Sequence, residues 1–240
     1  MNTDESDSAV HDSNEPQRWG PFAPWPRARP WIWVALACLV AFFQLGLFLS
    51  EFRVEEGRGN DFFQDWASAR NVMEGVPVYR SHKLAIVEYL NLDDTVEIQI
   101  PYNAHPPASV IWMLPFGLFS YPTGTLIWNL LSLGSILIAV AILLKTLCRP
   151  IAAWSVFPIL VLTLTSYPLR MQFYLGQWNG FLLLLLVLGW YADRSGKEAS
   201  AGVFLGIATL LKLFPGFILL VMLVRRRWRG VIWGGGTIAI

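Results

Sequence analysis

Two apolar runs, Trp31–Ser50 and residues 123–147, are each about as long as the ~20 residues a helix needs to cross a bilayer. A chain that carries both cannot be read as a soluble domain. Within the hydrocarbon layer every backbone polar group must be satisfied inside the protein, and a helix does this within one segment. The composition, 55% hydrophobic, agrees. The expected fold is all-α, that of a polytopic integral membrane protein in contact with the lipid bilayer.

Charge and cysteine usage exclude several classes. The formal net charge is +1, and the basic residues mark the ends of apolar runs without forming a basic face, so no nucleic-acid partner is expected. Cys38 lies inside the first run and Cys148 ends another. Neither has ligand spacing, which argues against a disulfide framework or a zinc site. Residues 1–30 are acidic and Ser/Asn-rich before turning into a Pro/Trp/Arg stretch, which reads as a disordered tail ending in a juxtamembrane anchor. No small-residue cleavage site follows Ser50, so Trp31–Ser50 is expected to remain as a span. The membrane domain then covers 31–240, with an outer loop over about 51–106. The last apolar segment begins at Gly230 and stops at Ile240, as a fragment incomplete at its C-terminus would.

Loop charge supplies an orientation. Arg18, Arg27 and Arg29 precede the first span and predict a cytoplasmic N-terminus, while carboxylates outnumber basic residues between Glu51 and Glu97, as an exported loop allows. Lys145 and Arg149 read as cytoplasmic again, so one crossing, 123–147, separates the two sides. Residues 107–120 are then a re-entrant or interfacial helix on the outer side, because the piece is short and interrupted by Pro115. Residues 151–169 return outward, 178–192 come back, and Asp193 to Glu198 turn on the cytoplasmic side. Lys212 to Gly216 interrupts the run 199–224, and Arg225, Arg226, Arg227 and Arg229 follow it. An even number of crossings fits that charge pattern. The segment is expected to be two short helices meeting at Lys212 on the outer side, in preference to one long kinked helix.

This topology brings Asp61, Asp65, His105, Arg170, Gln172, Tyr174, Gln177, Asn179 and Lys212 to the outer face. An ionisable residue at membrane depth is a functional candidate, although it can also be a snorkelling or paired structural charge. Asn60 reads as an N-cap, and Gly75 with Pro77 as a stop, for a helix of about four turns. Phe62, Trp66, Ala69 and Met73 form its apolar stripe beside a face bearing Asp61, Asp65 and Ser68, so the helix is expected to lie along the outer membrane surface. The two carboxylates can simply favour the positive end of the helix dipole, a contribution of ~0.3–1 kcal/mol each. His105-Pro-Pro is either a rigid helix entry with a hydrogen-bonded imidazole or part of a binding site. Gly176-Gln-Trp-Asn179 is either an interfacial turn or a pair of amides for sugar hydroxyls. No phosphate-binding loop, dinucleotide fingerprint or serine-nucleophile elbow is present.

Taken in order, Asp61-Phe62 with Trp66-Ala67 and Gly75-x-Pro-x-Tyr79, Pro106-Pro107 with Pro115 and Trp128, Gly176-Gln177-x-Asn179, Ala201-Gly202 with Gly206, Lys212 and Pro215, and Arg226-Arg-Trp228 resemble glycosyltransferase family 87. Each motif alone is weak, and their order and spacing carry the resemblance from about residue 60 onward. It implies a GT-C-like polytopic enzyme of the plasma membrane that takes a sugar, most of all mannose, from a polyprenyl-phosphate carrier on the non-cytoplasmic side. It also implies that the acid opening the first outer loop is the catalytic base, here Asp61, with Asp65 the alternative.

The expected reaction is hexosyl transfer with inversion to a hydroxyl of a glycolipid or polysaccharide acceptor. Lys212, with Arg170, binds the carrier phosphate; Gln177, Asn179 and His105 bind substrate. No metal or other cofactor is expected beyond the lipid-linked sugar as co-substrate. The competing readings are a flippase of lipid-linked sugars and an inactive, shortened member of the family.

Overall fold

A computed structural model describes residues 30–52, 61–93, 101–147, 160–161 and 163–239, and every regular element among them is helical. The expected tail up to residue 29, the Asn60 cap, Cys148 and about half of the crossing 151–169 fall outside the described residues, and Pro30, expected to end the tail, opens the first helix. The helices are α1 (Pro30–Ser50), α2 (Asp61–Met73), α3 (His82–Leu90), α4 (Pro107–Gly117), α5 (Tyr121–Leu147), α6 (Tyr167–Leu175), α7 (Asn179–Arg194), α8 (Glu198–Leu211), α9 (Gly216–Val224) and α10 (Trp228–Ala239).

Two of them, Trp31–Ser50 in α1 and Tyr121–Leu147 as α5, are long and apolar enough to cross a membrane, and α6 with α7 makes a third candidate broken by a bend of 112°. The protein is an all-α membrane protein. Helix α1 leaves Phe42 and Phe43 exposed for lipid, and joins the bundle near its end, where Phe48 and Phe52 pack on Phe173 of α6 at 5.6 and 5.2 Å. At 11 residues, α4 is too short to span, as expected of a re-entrant or interfacial helix.

The segment around α6 departs from the expected pattern of simple crossings. The helical stretch that includes residue 160 ends near Thr165, before Leu169. A new helix starts with Pro168 in its first turn, where the missing N–H costs nothing, and closes at Gly176 with φ +63°. A β-carbon at Gly176 would lie 2.5 Å from Phe62 Cβ, so glycine is required both by the left-handed turn and by its contact with α2.

Lys212 separates α8 from α9, and the expected hairpin is present. Arg227 Nη1 lies 2.7 Å from Glu198 Oε1, and Arg225 and Arg227 approach Asp193 at 3.9 and 3.8 Å. Helix α9 therefore returns the chain to the end where α7 finishes and α8 begins, leaving Lys212 at the opposite end. Helix α10 then runs parallel to α8: a β-carbon on Gly202 would meet Gly230 O at 2.0 Å, and one on Gly206 would meet Gly234 O at 2.7 Å. Small residues along this seam let the two backbones touch, as in membrane helix pairs generally.

The position of α2 corrects the sequence expectation most. Phe62, Trp66 and Ala69 are buried as the stripe predicts, but Met73 is exposed, and Gln64, Asp65, Ser68 and Asn71 on the polar side are buried too. The helix does not lie with one face open. Residues 103–109 and α3 cover its polar side, while Tyr121, Trp128 and Phe116 ring Phe62 at 5.7–6.3 Å. Burying Phe62 and Phe63 contributes roughly 1.5–3 kcal/mol each.

Candidate functional site

Helix α2 places two carboxylates one turn apart in different surroundings. Asp65 is fully buried. Its Oδ1 accepts from Ser109 Oγ at 2.7 Å and Asn103 Nδ2 at 3.1 Å, and its Oδ2 accepts from Trp178 Nε1 at 2.7 Å and pairs with His105 Nδ1 at 2.8 Å. An ionised carboxylate offers about four acceptor positions. Here all four are occupied by donors that come from the 103–109 segment and from the start of α7. Charge-assisted bonds of this kind are what a buried carboxylate requires, and they bind three parts of the chain to one point.

Asp61 is only partly buried and opens α2. Its Oδ1 accepts from Gln64 Nε2 at 3.1 Å, its one hydrogen bond among the described residues. The other face of Gln64 accepts the backbone N–H of Ala104 at 3.2 Å, so the amide links Asp61 to the segment that covers Asp65. Asp61 thus keeps acceptor capacity for a further donor.

His105 is held by its backbone N–H, which donates to Asn103 Oδ1 at 2.8 Å, and by its ring. With the Asp65 oxygens acting only as acceptors, Nδ1 carries the proton in that pair, which makes Nε2 the remaining acceptor of the neutral ring. The Pro106-Pro107 step then starts α4, with Ser109 Oγ also donating to Pro106 O at 2.8 Å.

Between α6 and α7 the residues 176–179 tie this cluster to Lys212. Trp178 reaches Asp65, and its ring packs on Trp128 at 4.6 Å, whose own Nε1 donates to Gly176 O at 2.9 Å. On either side of Trp178, Asn179 Nδ2 donates to Gln177 Oε1 at 2.8 Å, and Lys212 Nζ donates to Asn179 Oδ1 at 3.3 Å. Lys212 is drawn off the helical path into extended backbone at the end of α8 and has no carboxylate partner among the described residues. Its charge remains available to an anion.

Polar contacts therefore link Asp61, Asp65 and His105 in one network and Gln177, Asn179 and Lys212 in a second, and the two meet at Trp178, which lies between Gln177 and Asn179 in the chain and donates to Asp65. Arg170 stands apart: its Nη2 pairs with Glu51 Oε1 at 3.0 Å, fastening α6 to the end of α1. Sequence reasoning missed Gln64, Asn103, Ser109 and Trp178. Trp178 lay within a motif already singled out but read as an interfacial anchor. Asn103 and Ser109 flank His105-Pro-Pro at spacings that signal nothing until Asp65 is known to be buried among them. Away from this cluster, Tyr89 Oη donates to Asn71 Oδ1 at 2.8 Å, and burial, followed by nearby Glu74, pushes its phenol up to about 12. Among the described residues no group of three or more metal-ligating side chains is assembled.

Beside His105 and Lys212 lies an apolar groove of about 490 Å³, lined by Pro106, Ile111 and Trp112 on one wall and Leu210, Leu213 and Ile238 on the other. The chain is 23% identical over 176 residues to an alpha-(1->3)-arabinofuranosyltransferase of Mycobacterium tuberculosis, covering 72% of this chain and 38% of that one. It is 23% identical over 219 residues to a protein of the same name from Corynebacterium glutamicum, covering 88% and 48%. The chain thus spans less than half the length of these curated relatives. No solved structure matches it. The sequence profile of glycosyltransferase family 87 matches residues 103–240, which include His105, Gln177, Asn179 and Lys212 and begin after α2. With more than half of its length matched by that profile, the chain belongs to glycosyltransferase family 87.

Proposed function

We propose that this protein is a membrane glycosyltransferase that moves a sugar from a polyprenyl-phosphate carrier to an acceptor hydroxyl on the non-cytoplasmic face of the plasma membrane. The observation that carries the reading is an open carboxylate, Asp61, at the start of a helix whose Phe62 packs on Gly176, while the far end of the same turn, Asn179, holds Lys212, a cation with no carboxylate partner among the described residues. In a single displacement Asp61 takes the proton of the acceptor hydroxyl as that oxygen attacks the anomeric carbon. The bond from that carbon to the phosphate oxygen breaks, polyprenyl phosphate leaves with the electron pair, and the configuration inverts. Lys212 stabilises the phosphate charge that develops, and Gln177 and Asn179 orient sugar hydroxyls.

The acceptor count on the two acids supports Asp61 as base. Asp65 has no free acceptor position, so a substrate hydroxyl would have to displace Ser109, Asn103, His105 or Trp178. With Arg170 engaged by Glu51, the phosphate role rests on Lys212. The apolar groove beside Lys212 suits the isoprenoid tail of the donor. For the sugar, the resemblance suggests a hexose such as mannose, whereas the relatives' names point to arabinofuranose. The acceptor is a glycolipid or polysaccharide.

The test is sugar transfer by the protein in membranes supplied separately with polyprenyl-phosphate mannose and polyprenyl-phosphate arabinofuranose. Transfer from one donor that is lost in Asp61→Asn is expected. Near-normal transfer by Asp61→Asn, together with loss in folded Asp65→Asn, moves the base to Asp65. Normal transfer by both variants removes the mechanism.

A further inference from the structure

The opposite end of the α7 to α10 bundle carries a second built cavity. Helix α8 has 14 residues, which puts its start ~20 Å from Lys212 along the helix axis. There a cleft of about 600 Å³ opens between the turn before α8 and the turn before α10, its lining including Lys197, Arg226, Arg229 and Trp228 together with one acid, Glu198.

Charge is divided unevenly between its neighbours. The nearby acids are already matched, Glu198 by Arg227 and Asp193 by Arg225 and Arg227. The hydrogen bond that Arg227 donates to Glu198 holds the guanidinium above its ordinary range. Lys197, Arg226 and Arg229 have no carboxylate partner among the described residues, although acids lie within the same loops. Arg226 is also held at φ 57°, a region that side chains with a β-carbon rarely adopt. Three uncompensated cations around one cavity make a site for a phosphate group.

A second cavity shows which phosphate. An apolar groove of about 330 Å³ shares Ala199 and Ser200 with the basic cleft and continues along Val203, Phe204 and Trp233. Trp233 lies ~7 Å beyond Trp228 along α10, and both rings are exposed, the placement of aromatic residues from the headgroup level inward. A basic headgroup site that runs directly into an apolar track on membrane helices matches one amphipathic ligand. We infer that this end of the protein binds an anionic phospholipid, with its phosphate among Lys197, Arg226 and Arg229 and an acyl chain along Val203, Phe204 and Trp233. The site is distinct from the Asp61–Lys212 cluster and does not rest on the sugar-transfer reading.

Native mass spectrometry of the purified protein in mixed micelles of dioleoyl phosphatidylglycerol and dioleoyl phosphatidylcholine tests this, with lipid retention as the readout. The anionic lipid should be retained in preference. Each cation near a lipid surface is worth about a fivefold effect, so Lys197→Gln with Arg226→Gly and Arg229→Gln should lower the preference by on the order of 100-fold. Arg225→Gln, outside the cleft, should leave it intact. If the triple variant does not fold, Lys197→Gln and Arg229→Gln singly should each lower it about fivefold. Equal retention of the two lipids, an unchanged preference in the cleft variants, or an equal loss in Arg225→Gln overturns the site. Displacement of the lipid by inorganic phosphate alone overturns its assignment to a phospholipid.

Discussion

Asp65 and Asp61 stand one turn apart on the same helix and show how position alone separates two identical side chains. Around Asp65, every acceptor position is filled by Ser109, Asn103, Trp178 or His105, and the carboxylate becomes the knot that fastens α2, the start of α4 and the start of α7. Around Asp61, one amide bond leaves the carboxylate open at the end of the helix. A saturated acid holds structure; one with open acceptor positions can take a proton. The same contrast recurs among the cations, where Arg170 is tied to Glu51 and Lys212 makes only a long bond to Asn179.

The largest expected effect that would break this contrast comes from Asp61→Asn. It keeps the size and the Gln64 contact but loses proton acceptance, so transfer should fall by ~10²–10⁴ with an unchanged melting temperature in detergent. A fall in melting temperature as large as that of the Asp65 variant would mean that Asp61 is structural as well.

Next comes Asp65→Asn, which turns one acceptor oxygen into a donor and leaves two of its buried partners without an acceptor. At ~1–3 kcal/mol for each unsatisfied group, the protein should lose roughly 2–6 kcal/mol of stability, read as a lower melting temperature and a poor folded yield. Unchanged stability would show that the knot is not needed for the fold.

A smaller effect is expected for Lys212→Ala. A hydrogen bond to a charged group is worth ~1.5–3 kcal/mol, so the KM for the phosphate-linked donor should rise roughly 10–100-fold in kinetic assays. The smallest belongs to Arg170→Ala. Its pair with Glu51 is partly exposed, worth ~0–1 kcal/mol, and donor KM should change less than about fivefold. A larger rise than in Lys212→Ala would return the phosphate role to Arg170.

Much of this was legible from local pattern. Run length predicted α1 and α5, and the short, proline-interrupted piece before α5 became α4. Loop charge predicted the hairpin at Lys212, because Arg225, Arg226, Arg227 and Arg229 read as lying on the same side as the turn from Asp193 to Glu198, and in the structure Arg225 and Arg227 do meet Asp193 and Glu198. Of the seven site residues that the motifs named, all but Arg170 are held in this cluster, and the motifs did not name Gln64, Asn103, Ser109 or Trp178. Local pattern failed on α2, where a 4,3,4 spacing describes one apolar face and says nothing about what covers the other. It failed on Arg170 too, since its partner lies 119 residues earlier in the chain.

The sequence by itself determined which segments are long and apolar enough to cross a membrane, where helices break and which residue types gather toward one end. Those outcomes depend on hydrophobic length, proline and glycine, and charge in short loops, all of them properties of neighbouring residues. Only the tertiary structure decided which acid is open and which is saturated, and which cations are paired. Those outcomes depend on how many donors or carboxylates distant segments bring within ~3–4 Å, and for Asp65 they arrive from residues 38 or more positions away, Asn103, His105, Ser109 and Trp178.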